Sequence, residues 1–269
     1  MDSNETIIPI EETSGENGGL SHSDKMIGVF SEPAKTFFLT SKFPPRTKDW
    51  VLPILILFFI AAIIRIIAMT NEEVYFEAKK QGIERIEKMV ESGMMTREQA
   101  DEAIDAIDQQ MAFMNGPVGW VITIATTLIF GFIVIIIIVG IYYLLIKFLL
   151  KGEGTFSSAL VAIGLTTYLS ILQMIIAGIL TMLFGKMITD TSLASLMGSD
   201  KMTLAGWFFA KIDPISIWAY VVLSIGFAKM FKSESTGKYY MLVFGVWLIG
   251  MFILFQLAQA VPFLQNFVQ

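Results

Sequence analysis

Long runs of apolar residues alternate with polar segments along this chain of 269 residues. The longest run covers residues 118–146 and contains no charged side chain. About 20 apolar residues suffice to cross a bilayer as an α-helix, and similar runs cover 50–69, 156–184, 214–231 and 239–263. None of them alternates residue by residue as a barrel strand does. The pattern therefore predicts an all-α integral membrane protein with five transmembrane helices.

The segments outside these runs predict four further elements. Residues 1–25 are acidic and polar, which predicts a disordered tail. Residues 26–49 mix aromatic side chains, lysines and prolines, as is typical of an amphipathic segment at the membrane interface. Residues 70–117 carry two helically spaced apolar stripes separated by a glycine, which predicts an acidic helical hairpin. Residues 185–210 predict a loop with a short apolar segment.

The lysines and arginines near the predicted spans indicate the orientation of the chain. Ten of them fall on one side, in the N-terminal segment and in the loops that join the second span to the third and the fourth to the fifth: Lys25, Lys35, Lys42, Arg46, Lys48, Lys147, Lys151, Lys229, Lys232 and Lys238. Cytoplasmic loops carry the excess of positive charge. We therefore expect a cytoplasmic N-terminus, an extracytoplasmic hairpin and an extracytoplasmic C-terminus.

Composition narrows the classes of function. Hydrophobic residues make up 55% of the chain and charged residues 16%, as expected of a membrane protein. There is no cysteine, and the single histidine, His22, falls in the predicted tail, so we expect no metal site, no cofactor and no histidine-based catalysis. The net charge of -5 and the lack of a dense basic patch argue against nucleic acid as a partner.

Charged residues at the ends of two predicted spans form the first candidate site. Asp213 followed by Pro214 is a helix start, since the carboxylate accepts from free amides and proline suits the first turn. Arg65 falls at the corresponding end of the first span, and Lys211 can extend towards the interface. Three interpretations remain open: capping with independent snorkelling, a structural Arg65–Asp213 ion pair, or a functional ion or substrate contact.

Three glutamines lie within the predicted spans. Gln256 and Gln259 share one face of the fifth span and predict interhelical hydrogen bonds. Gln173 follows a series of small residues in the third span, which predicts close helix packing or, alternatively, the lining of a polar path. A transporter or channel would use these three side chains with Arg65 and the charged residues of the Asp213 region.

Three motifs resemble those of the Yip family, the Ypt/Rab-interacting proteins, and specifically its bacterial branch. They are "VFSEPAKTF" (29–37), "GTFSSALVAIGLTTY" (154–168) and "KIDPISIWAYVVLSIGFAKMF" (211–231), and the resemblance covers 26–269. It implies five spans with a cytoplasmic N-terminus. Eukaryotic members are associated with Rab GTPases and vesicle traffic, whereas the role of bacterial members is not established.

The sequence favours a multi-pass protein of a bacterial cytoplasmic membrane that is not an enzyme. We favour a membrane-organising or protein-interaction module that lies in the lipid bilayer. Its partners would be membrane or cytoplasmic proteins or a second copy of the chain. The alternative is a small-solute or ion transporter or channel that uses the polar residues of the helix bundle.

Overall fold

The structure is a computed structural model that describes residues 19–261 and 264. These residues are almost entirely helical and contain no β-strand. The helices are α1 (His22–Ser31), α2 (Pro33–Ser41), α3 (Lys48–Ala68), α4 (Glu72–Glu91), α5 (Arg97–Met114), α6 (Pro117–Leu149), α7 (Phe156–Phe184), α8 (Leu193–Met197), α9 (Leu204–Ala210), α10 (Pro214–Met230), α11 (Gly237–Gly245) and α12 (Met251–Ala260), with a π-helical segment, Val246–Gly250, between the last two.

Four helices are long and apolar enough to cross a membrane. They are α3, α6, α7 and the continuous helix Gly237–Ala260, which consists of α11, the π-helical segment and α12. A fifth span results if α9 and α10, which meet at a bend of 60°, count as one. Helix α10 alone has 17 residues, or about 26 Å at 1.5 Å per residue, near the minimum for a span. The predicted all-α membrane fold is confirmed, with four or five spans.

Helix α7 lies at the centre of the bundle. About 61% of its most apolar window is buried, against 17% to 22% for the other three long helices. It packs against α1, α3, α6 and α10. The hydroxyls of Thr166, Thr167 and Thr181 donate to carbonyls one turn earlier in the same helix. Its small residues therefore provide close packing, since these hydroxyls are satisfied within the helix.

Two glycines of α7 bring α3 into direct contact. A side chain at Gly164 would lie 2.3 Å from the Cα atom of Trp50, and one at Gly178 would lie 3.0 Å from Ile64. Both pairs have the same offset in sequence, so α3 and α7 run parallel. Eight residues of α7 precede Gly164 but only two residues of α3 precede Trp50, so α7 begins about 9 Å before α3 along the shared direction.

Helices α1 and α2 pack onto α7 and α10 at the level where α3 begins. Phe37 is fully buried and its ring lies against Gly226 of α10. Phe30 contacts Trp218 edge to face, with ring centroids 5.8 Å apart. The predicted tail is thus wrong for its last four residues, because α1 begins at His22. Residues 1–18 lie outside the described residues.

The loop between α6 and α7 and the turn between α10 and α11 meet at one end of the bundle. The Lys147 ammonium donates to the carbonyl of Gly152, and the Glu153 amide donates to that of Phe231 across the two connections. Several of the ten lysines and arginines that predict the cytoplasmic side lie in or beside these two connections.

At the other end, α4 and α5 pack against each other and form two ion pairs. Lys79 contacts Asp108 at 2.6 Å and Arg97 contacts Glu87 at 2.6 Å. The chain after α7 folds back towards the bundle, where the Leu193 amide donates to the carbonyl of Ile212. This returning segment, 185–213, brings Thr191 to Gln173 of α7 and packs Trp207 of α9 against Phe252 and Phe255 of α12.

Candidate functional site

A buried network of four polar side chains joins α1, α3 and α7. The ammonium of Lys25 donates to one oxygen of Asp49, and Nδ1 of His22 lies 3.1 Å from the other. Nε2 of His22 lies 2.7 Å from the hydroxyl of Tyr168. Asp49 is 2% exposed and Lys25 is 5% exposed. We call this set of residues the N-terminal network.

Local sequence signals place each member of the N-terminal network. Ser21 and Asp24 form a capping box that starts α1, so His22 and Lys25, three residues apart, project from one face. Asp49 is in the first turn of α3, where a carboxylate also faces the positive end of the helix dipole. The close approach of α3 at Gly164 then brings Asp49 towards Tyr168 on α7.

The proton positions within the N-terminal network follow from the acceptors. A carboxylate can only accept, so Nδ1 of His22 carries the proton that it donates to Asp49. A buried carboxylate needs such donors, because an unpaired charge in a low-dielectric site costs several kcal/mol. The titratable side chains of the N-terminal network are hydrogen-bonded to one another. These contacts hold α1 against α3 and α7.

A second polar cluster surrounds the start of α10. Asp213 is 2% exposed and accepts from the amides of Ile215 and Ser216, as its predicted capping role requires. Its other donors are the Gln173 amide at 2.5 Å and the Thr191 hydroxyl at 2.8 Å. The structure thus brings Gln173 and Asp213 together across α7 and α10, and the returning segment completes the site.

The hypothesised ion pair between Arg65 and Asp213 is wrong. Within residues 19–261 and 264, Asp213 forms no ion pair, since the neutral donors described above surround its carboxylate. Arg65 is exposed in the last turn of α3. Donors from α7, from the returning segment and from the first turn of α10 already occupy both oxygens of the carboxylate.

The other predicted residues lie apart from one another. Pro214 is the first residue of α10, and the ammonium of Lys211 lies 5.4 Å from the ring centre of Trp207. The Gln259 amide donates to the carbonyl of Met202 in the returning segment at 2.9 Å. Gln256 is exposed and makes no hydrogen bond with any residue that the structure describes. The two glutamines therefore do not act as a pair.

The returning segment contains its own ion pair, outside the candidate spanning helices. Asp190 accepts from Lys201 at 2.8 Å and from the Ser195 hydroxyl at 2.6 Å. Burial by itself raises the pKa of Asp190, but the charge of Lys201 and these hydrogen bonds outweigh it and hold the pKa below its ordinary value of 3.8. The pair therefore stabilises this fold above that pH and loses its contribution as the pH falls through the lowered pKa.

A model of the Yip1 domain matches residues 27–257, which is 231 of the 269 residues. The chain belongs to the Yip1 domain family. Among the described residues of this Yip1 protein, no group of three or more histidine, aspartate or glutamate side chains could hold a metal ion. Comparisons with curated proteins and with solved structures find no match. The resemblance to the Yip family, inferred from the three sequence motifs, is confirmed.

Sequence reasoning missed the N-terminal network of this Yip1 protein. His22 and Lys25 precede the matched range, whereas Asp49 and Tyr168 fall inside it. One signal was present: Ser21 and Asp24 have the spacing of a capping box, which marks a helix start even within a polar segment. The partner on α7 left no such signal, because Tyr168 is 146 residues away from His22 in sequence.

Proposed function

We propose that this Yip1 protein is a non-catalytic, membrane-organising or protein-interaction module whose contact surface is formed by α1 and α2. The observation that carries the proposal is the N-terminal network, which fixes α1 to the bundle through buried charges, while the buried ring of Phe37 holds α2 against α10. A fixed helical pair offers a preorganised surface, and preorganisation lowers the entropic cost of binding.

The composition of this surface supports the proposal. Ile27 is 62% exposed and Phe38 is 49% exposed, on helices whose opposite faces are buried against α7 and α10. The ammonium of Lys42 lies 4.5 Å from the ring centre of Phe38. Exposed aromatic and aliphatic side chains beside cations suit both the membrane interface and a protein partner.

The distribution of polar residues does not favour the transporter alternative. Gln259 donates to Met202 whereas Gln256 makes no hydrogen bond among the described residues, and Lys211 lies over two tryptophan rings. Of these residues only Gln173 and Asp213 meet, and the amide nitrogen of Gln173 and both oxygens of Asp213 are already engaged in hydrogen bonds. A solute path through the spans requires polar groups that converge on one cavity within the helix bundle, and these five residues do not.

Photocrosslinking tests the proposed surface. We expect a photoreactive amino acid at position 27 or 38 to give one defined protein adduct in intact membranes. The matched control is Ile137 on α6, which is 56% exposed and faces outward from a spanning helix, where we expect lipid adducts. Proteoliposomes that contain the purified chain should show no flux of small ions or solutes.

Two results would reject the proposal. Lipid adducts alone at positions 27 and 38 would leave the surface without a protein partner. Solute flux above that of empty liposomes, abolished by Asp213→Asn, would establish the transporter alternative instead.

We further propose that the N-terminus is cytoplasmic, the C-terminus extracytoplasmic and the membrane a bacterial cytoplasmic membrane. The support is the meeting of the two basic connections, after α6 and after α10, at one end of the bundle. The parallel course of α3 and α7 also agrees with spans that alternate in direction.

Labelling of single cysteines tests this orientation, and the absence of native cysteine makes the background clean. In intact cells, we expect an impermeant maleimide to label Glu98→Cys on α5 and to leave Ser233→Cys, after α10, unmodified. Permeabilisation should then expose Ser233→Cys. Equal labelling of both positions before permeabilisation would contradict the orientation.

A further inference from the structure

A large cavity lies between the end of α3, the α4–α5 pair, the start of α6 and the returning segment. Its volume is about 1160 Å³. Six basic and three acidic side chains line it; the basic ones are Arg65, Lys79, Arg85, Lys88, Lys186 and Lys201, and the acidic ones are Glu77, Glu84 and Asp200. The cavity is therefore electropositive in a protein whose formal net charge is -5.

In the α4–α5 pair, most basic side chains line this cavity and most acidic side chains do not. Residues 71–115 contain eleven acidic and five basic side chains. Three of the five bases line the cavity, but only two of the eleven acids do. Helix α5 contributes only uncharged side chains, such as Ile107 and Gln110. The acidic surface of the pair is therefore directed largely away from the cavity.

Three of the lining cations have no anionic partner. Arg65, Lys88 and Lys186 form neither an ion pair nor a side-chain hydrogen bond with any residue in the described ranges. Like charges that converge on one cavity repel each other, and a bound anion relieves this repulsion.

The lining acids, in contrast, already have donors. Glu77 accepts from Gln81 at 3.1 Å, and Glu84 lies 4.0 Å from Lys80. Asp200 accepts from the Met202 amide at 2.8 Å. The neutral donors leave the charges of Glu77 and Asp200 in place, but six lining cations against three lining anions still make the cavity net positive.

We propose that this cavity binds a phosphate group, with Arg65, Lys88 and Lys186 as its cationic contacts. A planar guanidinium binds two phosphate oxygens at once, and lysines add point charges around them. Apolar side chains of Ile66 and Trp120 line the same space, as a lipid attached to the phosphate requires. An anionic phospholipid headgroup and free phosphate share this chemistry.

Binding to the purified full-length chain tests the proposal and separates the two sources. The probes are short-chain phosphatidylglycerol, short-chain phosphatidylcholine and inorganic phosphate, each titrated in neutral detergent and followed by thermal stabilisation and native mass spectrometry. We expect one anionic probe to bind. Arg65→Gln and Lys88→Gln should each weaken its apparent affinity about tenfold, the size of one lost charge-assisted contact.

Lys80→Gln is the matched control, because Lys80 is exposed on the same helix as Lys88 but does not line the cavity. We expect its apparent affinity to change by less than about twofold, as a peripheral charge does in screening salt. Unfolding without probe identifies any variant that misfolds, and Lys88 is exposed, so Lys88→Gln keeps the test valid if Arg65→Gln fails to fold.

Each outcome decides the proposal. Binding of phosphatidylglycerol alone assigns the site to a lipid headgroup, and binding of inorganic phosphate with the same order of variants assigns it to free phosphate. No binding of either anion, equal binding of phosphatidylcholine, or an equal loss in Lys80→Gln would overturn the proposal.

Discussion

Replacing Asp49 with alanine is expected to lower the free energy of unfolding by about 3–5 kcal/mol, because the ammonium of Lys25 would remain buried without its counter-ion. His22 would lose its acceptor in the same substitution. Thermal unfolding in detergent should report the loss of stability. Proteolysis between α1 and α2 should report the release of these helices from the bundle.

Two variants separate the ion pair from a general effect of substitution. The double variant Lys25→Met/Asp49→Leu removes both charges and should recover most of the stability, since an apolar pair can replace a buried ion pair. Lys35→Ala breaks the Lys35–Glu32 pair, whose side chains are 65% and 59% exposed, and should cost less than about 1 kcal/mol. If Asp49→Ala is as mild as Lys35→Ala, the network does not hold α1 in place.

Replacing Gly164 with alanine is expected to destabilise the protein by about 3 kcal/mol or more, through overpacking between α3 and α7. The new Cβ atom would lie 2.3 Å from the Cα of Trp50 and 3.0 Å from the carbonyl oxygen of Asp49. Both are backbone atoms, so α3 would have to move as a unit. Thermal unfolding should show the loss.

Gly140→Ala provides the control for this substitution. Gly140 also lies within a spanning helix, α6, but beyond the adjoining residues of α6 no atom lies within 4 Å of the position of its Cβ. We expect a change within about 1 kcal/mol, in the direction of stabilisation, from the higher helix propensity of alanine. Equal losses at both glycines would mean that α3 and α7 do not approach as closely as described.

The spanning helices could be predicted from the sequence because lipid leaves the backbone few choices. A charge-free run such as 118–146 must satisfy its own hydrogen bonds, and a helix does so. The segment around Asp213 was harder. Its cap was predictable from the Asp-Pro pair, but its neighbours depend on how 185–213 folds back, and no local pattern specifies that course.

The N-terminal network could not be predicted from composition. The average composition of the N-terminal residues is dominated by the acidic, glycine-rich sequence before Lys25. This average hides the capping box of four residues that begins at Ser21. Tertiary contacts with Asp49 and Tyr168 then stabilise a helix that local propensity favours only weakly. The cavity beside Arg65 had no local signal either, since its cations come from four separate stretches of chain.

The π-helical segment Val246–Gly250 sets the rotation of α12 about the helix axis. A π-helical turn holds more residues than an α-helical turn, so each residue in it adds less than the usual rotation of about 100°. Trp247 within the segment and Phe255 after it are both buried. The segment also presents the Met251 carbonyl to the indole of Trp207. The rotational orientation of the last ten residues of the final helix therefore depends on the length of this short stretch. Inserting or deleting one residue there would turn Gln259 away from Met202.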